Sequence, residues 1–565
     1  MSSYSLGYVA GAANQPPPVQ CLTAGIFGLL AHGLYFIHWA DDRNAMKVLL
    51  VHLLVLILIM PLEVVSWGAG KGLQVSALVF ATYLTTLFTS IVVYRLFFHQ
   101  LQRFPGPFWA RVTKGYGTYV NRNGKMHEEY DRLLHEYGPF VRIGSWTAFQ
   151  VRQGQLLHDD GIWPAPGAQP RRHRRQGRAP DPQASMGQGL QRKRQVSAAI
   201  LQLPTDNAYA AIEAREQPIR DVIHEWLAKV DELNGQPVNW TLFASLISFD
   251  ITGRVGFSTD FGGVRAGTKS VFQRYIQSLF KMMADVGHQP WLIALSKRSL
   301  LPGSRDLIGF EDLARRLVAQ RLKLQDTEPK EDIVHYFIED FKSEKPKAFF
   351  TLDHLESDSQ AILIGAADSS YSPITFCFRH LMLNPSTVAS LRTELTPLFN
   401  RSQENGFAHA ELARSAPLLD AVISETMRLH NPACTNGAKR TPPEGLVLDG
   451  TFIPGNVNLT SSIWSFHRSE RYFVRPRDWI PQRWTTRPEL VLDRRAYHPF
   501  SYEVGDDDAE DGDCLYGVVL RRYVRPGRGW QRRGGTIKER VVLDARAVAF
   551  GLYEEAGGGG LRAPS

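Results

Sequence analysis

The chain has 565 residues, 44% of them hydrophobic and 21% charged, which is an ordinary composition for a globular protein. Its net charge of +8, from 64 Lys+Arg against 56 Asp+Glu, is mild. The four cysteines, Cys21, Cys377, Cys434 and Cys514, form neither a zinc-finger spacing nor a dense disulfide framework. Both of those classes are excluded, and a reducing environment is indicated for the main domain.

Three apolar segments occupy the first hundred residues, at about 21–40, 47–66 and 74–94. Each is close to the ~20 residues that an α-helix needs to cross the hydrocarbon layer of a membrane. No basic region precedes the first segment, which argues against a cleavable signal peptide. We predict a membrane anchor over 1–97 with two or three transmembrane helices. The second segment carries Glu63 near its end, so a re-entrant or interfacial helix is its alternative; buried core helices are the alternative for all three.

The charges around these segments predict an orientation. Residues 1–20 carry no charge, whereas the third segment is followed by Arg95, Arg103, Arg111 and Lys114. Positive residues favour the cytoplasmic side of a membrane. Three spans therefore predict an N-terminus in the lumen and a main domain in the cytosol.

A proline-rich segment follows the anchor. In "RFPGPFWAR", residues 103–111, Pro105 and Pro107 cannot continue a helix, and Gly106 between them permits a tight bend. We predict that 98–114 is a stiff hinge between the anchor and a globular domain.

The segment from about 115 to 503 is mostly helical in pattern, with short strand-like patches, and predicts a mainly α fold with small β-sheets. The predicted elements are helices at 210–235, 238–256, 270–295, 306–325 and 418–430, a hairpin at 138–152 and strands within 440–455. A nearly apolar helix at 361–385, ended by Asn384-Pro385, is expected to run through the middle of the core.

A small polar patch, "GAADSS" at 365–370, interrupts that apolar helix. Asp368 is costly in a buried helix unless it is hydrogen-bonded or poised for proton transfer. The small residues at 365–367 would let a flat ligand approach the helix backbone. The alternative is a helix kink whose hydroxyl groups bond to the preceding turn.

The segment "LLDAVISETMRLH", 418–430, places Glu425 and Arg428 on one face of an amphipathic helix. As a surface ion pair they would contribute little to stability. Beside a buried partner such as Arg483, in "DWIPQRW", they would form a rigid charge-assisted network.

Taken in chain order, these segments resemble the cytochrome P450 family, specifically a fungal microsomal-type monooxygenase, over about 95–146 and 195–500. "GAADSS" is similar to the family's A-G-x-D/E-T-T motif, "ETMR" to E-x-x-R, and "PQRW" to P-E-R-F/W. The resemblance implies that Asp368 and Ser369 deliver protons during oxygen activation. It also implies that Glu425, Arg428 and Arg483 form a structural triad.

The resemblance further implies a haem b cofactor, contacted by Ala366, Arg440 and Phe500. Electrons would come from NADPH through NADPH–cytochrome P450 reductase, and one oxygen atom from O2 would be inserted into a hydrophobic small molecule, in fungal secondary-metabolite biosynthesis. The partners expected are that reductase, the substrate and the lipid membrane, with no nucleic acid. The location implied is the endoplasmic reticulum membrane, with the catalytic domain facing the cytosol.

The haem-binding loop departs from the family pattern, F-x-x-G-x-R-x-C-x-G. Phe500 matches the phenylalanine, but Cys514 lies fourteen residues further on instead of seven, and the inserted residues include Asp506 and Asp513. Added carboxylates would raise the pKa of a cysteine and weaken metal ligation. Cys514 is therefore a doubtful candidate for the iron ligand, although the other three cysteines are no better placed.

Two segments, about 153–194 and 504–565, are rich in Arg, Gly and Pro and have no apolar period. We expect the fold to be incomplete or disordered there. A basic patch for nucleic acid or anionic lipid, a genuine disordered insertion, and out-of-frame or unspliced translation are the three interpretations, and we favour the last. The alternative to a monooxygenase is accordingly a catalytically inactive descendant that lacks a proper haem ligand. A multi-pass transporter or receptor is a more distant alternative.

Overall fold

The computed structural model describes the ranges 14–37, 45–144, 147–150, 216–287, 303–402, 414–434 and 439–499. Within these ranges, residues 123, 235, 329, 331, 347 and 348 are not described. The single residues 289, 292, 295 and 412 are described as well. The two anomalous segments, 153–194 and 504–565, lie outside the described residues. The chain divides into two compact units. Unit 1 is Met1–Arg152, Phe280–Ser304 and Gly437–Ser461; unit 2 is Gln153–Leu279, Arg305–Asn436 and Ser462–Ser565.

Unit 1 contains six helices and six strands among its described residues. The helices are α1 (Pro17–Ala31), α2 (Ala45–Trp67), α3 (Ala69–Val93), α4 (Phe108–Val112), α5 (Gly115–Asn121) and α6 (Met126–Tyr137). Single π-helical turns, His32–Phe36 and Tyr94–Phe98, extend α1 and α3. The strands are β1 (Phe140–Arg142), β2 (Thr147–Gln150), β3 (Lys439–Arg440), β4 (Leu446–Leu448), β5 (Thr451–Ile453) and β6 (Asn458–Ser461).

Three helices in the described part of the chain are long and apolar enough to cross a membrane: Pro17–Phe36, Ala45–Trp67 and Ala69–Phe98. The second is the most apolar of them and has 23 residues. Its length and composition therefore suit a membrane-spanning helix despite Glu63. Glu63 is buried, and Gln20 Nε2 donates to its carboxylate over 3.4 Å.

Small residues allow these helices to pack closely. A Cβ atom at Gly28 of α1 would lie 2.8 Å from the Tyr83 carbonyl oxygen of α3, and one at Gly72 would lie 2.5 Å from the Glu63 carbonyl oxygen of α2. Such contacts let the backbones approach each other, as is typical of packed apolar helices. The first described residues thus form a helical bundle rather than three separate helices.

The main sheet has the order β1-β2-β6-β3. β1 and β2 pair antiparallel, which confirms the hairpin expected at 138–152. β2 pairs in parallel with β6, and β6 pairs antiparallel with β3. A separate antiparallel hairpin, β4–β5, turns at Asp449-Gly450, where both residues have positive φ angles of 51° and 70°. An Asp-Gly pair is a favoured two-residue hairpin turn.

Unit 2 is helical. Its helices are α7 (Glu216–Glu232), α8 (Trp240–Phe257), α9 (Gly263–Ala266), α10 (Val271–Val286, whose last turns belong to unit 1), α11 (Ser304–Leu324), α12 (Ile333–Lys342), α13 (Leu352–Leu383), α14 (Pro385–Ser402), α15 (Pro417–Leu429) and α16 (Ile463–His467). Short 3-10 helices follow at Pro481–Trp484, Pro488–Leu490 and Arg494–Ala496. The predicted mainly α fold with small sheets is confirmed.

The core of unit 2 forms around α8 and α13, which pack along each other. α8 begins where Asn239 Oδ1 accepts from the Leu242 amide over 3.0 Å, and most of its residues are buried. Because it is buried on every side, its sequence has no polar face. Apolar residues of α7, α13 and α15 complete this cluster, among them Trp226, Ile374 and Met427.

The long helix α13 has 32 residues and starts earlier than the predicted 361. Thr351 caps it, since its hydroxyl accepts from the His354 amide over 3.3 Å. The polar stretch 352–360 belongs to the helix, and Leu355 and Ser359, one turn apart, form its buried face. The polar patch at 365–370 lies within this helix, whose backbone is helical throughout.

Candidate active site

Glu425, Arg428 and Arg483 meet in a buried ion network at the C-terminal half of α15. Arg428 Nε and Nη2 each donate to the Glu425 carboxylate over 2.9 Å. Arg483, 58 residues further along the chain, donates through Nε over 2.9 Å. The side chains in both ion pairs are 0% exposed.

Two further donors complete the shell of this carboxylate. The Ile480 amide donates to Oε1 over 2.9 Å and Trp484 Nε1 donates to Oε2 over 3.0 Å. Glu425 therefore accepts five hydrogen bonds. The remaining guanidinium N–H groups donate to backbone carbonyls: those of His467, Pro476 and Asp478 for Arg428, and those of Val474, Arg475 and Leu490 for Arg483.

This arrangement fixes the path of the chain after α16. One carboxylate faces two guanidinium groups, and the excess positive charge is offset by carbonyl dipoles of residues 467–490. A buried charge is tolerated only when it is paired and fully hydrogen-bonded. Residues 467–490 must therefore wrap around α15 in one conformation, which positions the chain that enters the predicted haem loop.

A stack of four rings lies next to this network and was not predicted. His430, at the end of α15, stacks on Phe376 at 3.8 Å between ring centroids, and His380 stacks on Trp479 at 4.9 Å. The two imidazoles meet through Nε2 atoms 2.9 Å apart. The i, i+4 spacing of Phe376 and His380 on one helix was the available sequence signal.

Burial keeps both imidazoles neutral. It lowers the pKa of His430 to about 3 and that of His380 to about 4, with smaller contributions from nearby charged groups. One neutral ring must donate and the other accept for the Nε2 contact to form. The four rings therefore connect α13, the end of α15 and Trp479 through a hydrogen bond between two neutral imidazoles.

The hydroxyl group of Ser369, in the polar patch of α13, is hydrogen-bonded to the helix backbone. The Ser369 hydroxyl donates to the Gly365 carbonyl one turn earlier, as in the alternative of a back-bonded hydroxyl. Pro373 lies within the same helix and has no N–H to donate to the Ser369 carbonyl. The helix nevertheless continues through both residues to Leu383.

One face of α13 is open next to this patch. Ser357, Ala361 and Gly365, one turn apart, are all exposed. An exposed glycine on a central helix permits a flat ligand to lie against the backbone.

The structure describes less of the other predicted site residues. Asp368 and Ala366 belong to α13, and Arg440 belongs to β3 of unit 1; for these three only the backbone is described. Phe500 and Cys514 lie outside the described residues. The structure therefore brings together Glu425, Arg428 and Arg483, the three residues of the predicted triad. The functional roles of all the predicted site residues stay predictions.

Two of the described cysteines, Cys377 and Cys434, are poor thiolates. Burial raises the pKa of Cys377 to about 12, and it also raises the pKa of Cys434. Cys21 lies in α1, the first of the apolar helices. Neither Cys377 nor Cys434 is therefore suited to bind a metal as a thiolate.

Comparison with known proteins identifies relatives of the whole domain. The Cytochrome P450 family model matches residues 105–502, so the match ends before Cys514. "Cytochrome P450 monooxygenase sthD" of Phaeosphaeria nodorum is 32% identical over 431 residues, 74% of this chain and 86% of that protein. "Tryprostatin B 6-hydroxylase" of Neosartorya fischeri is 25% identical over 520 residues, 86% and 88% of the two chains.

Solved structures share the fold. A zebra fish cytochrome P450 determined with progesterone is 14% identical, with a TM-score of 0.53, over 70% of this chain and 90% of that chain. The fungal relatives are named monooxygenases, and their similarity covers most of both chains. The chain therefore belongs to the cytochrome P450 family.

Proposed function

We propose that this chain is a membrane-anchored haem-thiolate monooxygenase that inserts one oxygen atom from O2 into a hydrophobic small molecule. The observation that carries the proposal is the buried Glu425–Arg428–Arg483 network within a chain that matches the family over 105–502. A fungal relative whose name states hydroxylation of tryprostatin B supports a secondary metabolite as the substrate.

The described part of α13 fits a flat haem, because Gly365 and Ala361 expose one side of that helix. Ala366, Arg440 and Phe500 would contact haem b, and Cys514 is the candidate for the iron ligand. When bound, the haem would supply the centre at which dioxygen is activated.

Proton delivery would be the task of Asp368 and Ser369. The Ser369 hydroxyl is bonded to the Gly365 carbonyl, so its O–H must turn away from that oxygen to donate elsewhere. A hydroxyl hydrogen rotates about its C–O bond, so this change does not require movement of the helix. In the proposed mechanism, Asp368 would then reprotonate the hydroxyl.

The anchor and partners follow from the first hundred residues. The helices Pro17–Phe36, Ala45–Trp67 and Ala69–Phe98 would span the endoplasmic reticulum membrane. Arg95 and the basic residues after it would hold the catalytic domain on the cytosolic side. NADPH–cytochrome P450 reductase in the same membrane would supply the electrons.

One observation favours a second candidate function. The family match stops at residue 502, two residues after Phe500, and Cys514 lies beyond it. A haem-free descendant, from gene decay or from an unspliced transcript, would keep the buried network of unit 2 and lose the iron ligand. Such a protein would bind at most a hydrophobic ligand or a partner.

A single spectroscopic experiment separates the two candidates. The full chain is expressed with a haem precursor, reduced and exposed to carbon monoxide, alongside Cys514→Ala. A red-shifted Soret band typical of thiolate-ligated haem, lost in Cys514→Ala, supports the monooxygenase. A chain without haem absorbance supports the haem-free descendant.

A second measurement tests the proton relay in a chain that binds haem. In Ser369→Ala, product formed per NADPH consumed should fall while substrate binding, read from the Soret shift, is unchanged. Ser370→Ala is the matched control. Equal loss in both variants would contradict the assignment of Ser369.

A further inference from the structure

Three arginines come together in unit 1, where the third apolar helix meets the first strand. Arg95 lies in the π-helical turn that ends this helix, Arg111 lies in α4, and Arg142 lies in β1. Arg142 Nη1 donates to the Arg95 carbonyl over 3.0 Å, and Arg95 Nη1 donates to the carbonyl of Val112, the residue after Arg111. The three residues therefore share one region of unit 1 and are referred to as the arginine cluster.

Arg142 is the most buried member of the arginine cluster, with an exposed fraction of 0%. Its Nε atom donates to the Gly144 carbonyl over 3.2 Å, and its Nη1 atom is bonded to Arg95. Its Nη2 atom is buried and has no hydrogen-bond partner within the described ranges, and the same holds for Arg111 Nε. Buried polar groups in proteins are almost always hydrogen-bonded. Two N–H donors of the cluster therefore lack the acceptor that their burial requires.

The arginine cluster also lacks a negative charge. In the part of the chain that the structure describes, none of its three guanidinium groups forms an ion pair. Three other described arginines are fully buried, and each is paired with a carboxylate: Arg321 with Asp332, and the two arginines of the buried network with Glu425. Arg142 differs from them, because only backbone carbonyls accept its hydrogen bonds.

The pKa values of neighbouring groups reflect this excess of positive charge. Burial, together with the charges of Arg111 and Arg95, lowers the pKa of Arg142 to about 10. Burial and the charges of Arg142 and Arg95 lower the pKa of His99, which is 1% exposed, to about 4. At neutral pH Arg142 is therefore still charged, whereas His99 is neutral. A buried charge is tolerated when an opposite charge lies beside it, and an anion would supply that charge.

The backbone around Arg142 is fixed by the hinge. The Arg142 amide donates to the Pro105 carbonyl over 2.7 Å. A Cβ atom at Gly106 would lie 2.2 Å from the Arg142 carbonyl oxygen, so only glycine permits this close approach of the hinge to β1. The donors of the cluster are thus held by a preformed scaffold, which lowers the entropic cost of binding a ligand.

The donors indicate the chemical class of the ligand. A guanidinium group presents a planar fork of N–H donors that matches the oxygens of a carboxylate or a phosphate. A carboxylate offers two oxygens, whereas a terminal phosphoryl group offers three and carries a charge of about −1.5 to −2 at neutral pH. The phosphoryl group is therefore the better match for three cations. Arg95 and Arg111 are only half-buried, so the cluster can be reached from the surface.

We propose that Arg95, Arg111 and Arg142 form a binding site for a terminal phosphoryl group at the junction of the third apolar helix, the hinge and β1. The phosphoryl oxygens would accept from Arg142 Nη2 and Arg111 Nε. The group belongs either to free phosphate or to the headgroup of a lipid phosphomonoester, because the site adjoins the end of the proposed span Ala69–Phe98. A ligand that binds only the folded chain stabilises it, so occupancy would stabilise this junction.

The test measures the thermal midpoint of the full chain in nanodiscs of phosphatidylcholine, with inorganic phosphate or with chloride at equal ionic strength. A second set of nanodiscs also contains phosphatidic acid, whose headgroup is a phosphomonoester. Arg111→Gln removes one donor of the cluster. Arg122→Gln is the matched control, because Arg122 is an exposed arginine of the same unit outside the cluster. Neither probe requires haem, so the result is independent of the monooxygenase activity.

Inorganic phosphate should raise the midpoint by about 2 °C at saturation in the unmodified chain and in Arg122→Gln, and the rise should be lost in Arg111→Gln. If phosphatidic acid raises the midpoint and added phosphate then has no further effect, the site takes a lipid headgroup; a rise with phosphate in both kinds of nanodisc supports free phosphate. A midpoint that neither probe raises would overturn the proposal. A rise that persists in Arg111→Gln, or that is lost equally in Arg122→Gln, would show a general salt effect and would overturn it as well.

Arg111→Lys serves as the second variant if Arg111→Gln does not fold. It keeps the charge and loses the planar fork of donors, so the phosphate concentration needed for half of the rise should increase about tenfold. An unchanged concentration would contradict the role of Arg111 in the site.

Discussion

Replacement of Glu425 by Gln tests the energetic role of the buried network. The substitution keeps the shape of the side chain and removes its charge. Arg428 and Arg483 would then be two buried cations without a carboxylate, and only backbone carbonyls would remain to stabilise them. We expect a large loss of stability.

The magnitude follows from the five hydrogen bonds that the carboxylate accepts. Oε1 accepts three of them and Oε2 accepts two, from Arg428 Nε and Trp484 Nε1. In Glu425→Gln one of these oxygens becomes an NH2 group, so at least two buried donors lose their acceptor. Each such donor costs about 1–3 kcal/mol. This agrees in size with the loss of about 3–5 kcal/mol that is typical when one partner of a buried ion pair is removed, and we expect a loss of that size.

The assay is urea unfolding of the full chain in detergent, followed by far-ultraviolet circular dichroism. The matched control is Glu489→Gln, whose carboxylate pairs with Arg487 but is 62% exposed, and whose loss should be below ~1 kcal/mol. A loss in Glu425→Gln no larger than in Glu489→Gln would refute the reasoning. It would mean that the two arginines are solvated or that the segment can repack.

Two further predictions concern acid stability and the helical bundle. The free energy of unfolding should fall as the pH drops below about 6.5, by up to ~1.4 kcal/mol per pH unit for each of His380 and His430. The reason is that the folded-state pKa values of these two residues, about 4 and about 3, are lower than the unfolded value, so the unfolded chain binds protons first. Urea titrations between pH 7 and 5 measure the slope of this free energy against pH. His430→Phe should reduce the slope, and an unchanged slope would show that His430 does not contribute to it. Gly72→Ala should lower the thermal midpoint of the detergent-solubilised chain, because its Cβ would meet the Glu63 carbonyl at 2.5 Å, whereas Gly70→Ala, with nothing within 4 Å, should not. Equal midpoints in the two variants would show that this helix contact is not maintained.

Local sequence patterns predicted most of the fold. The helices predicted at 238–256, 306–325 and 418–430 match α8, α11 and α15 to within two residues, whereas α12 and α14 were not predicted. α13 was predicted too short because its first turns alternate between buried and exposed residues and look polar as a whole. The parallel pairing of β2 with β6 could not be predicted, since hydrophobic alternation in a strand does not identify its partner.

The candidate site was predicted through the family resemblance more than through spacing. The i, i+3 pair Glu425 and Arg428 is visible locally, but a partner at Arg483 comes from another segment of the chain. The contact between His380 and His430 was not predicted, because two histidines in separate segments of the chain form no recognisable sequence pattern. Contacts between distant segments are set by packing, which a single sequence does not display.

The pairing of Thr147–Gln150 with Asn458–Ser461 has a consequence for synthesis of the protein. At ~5–20 residues per second, the ribosome needs on the order of 15–60 s to make the ~300 residues between these strands. During that interval the early hairpin has an open edge beside the nascent chain, and such edges readily pair with other chains. Premature termination before residue 458 would leave that edge permanently unpaired, so truncated products should aggregate or be degraded.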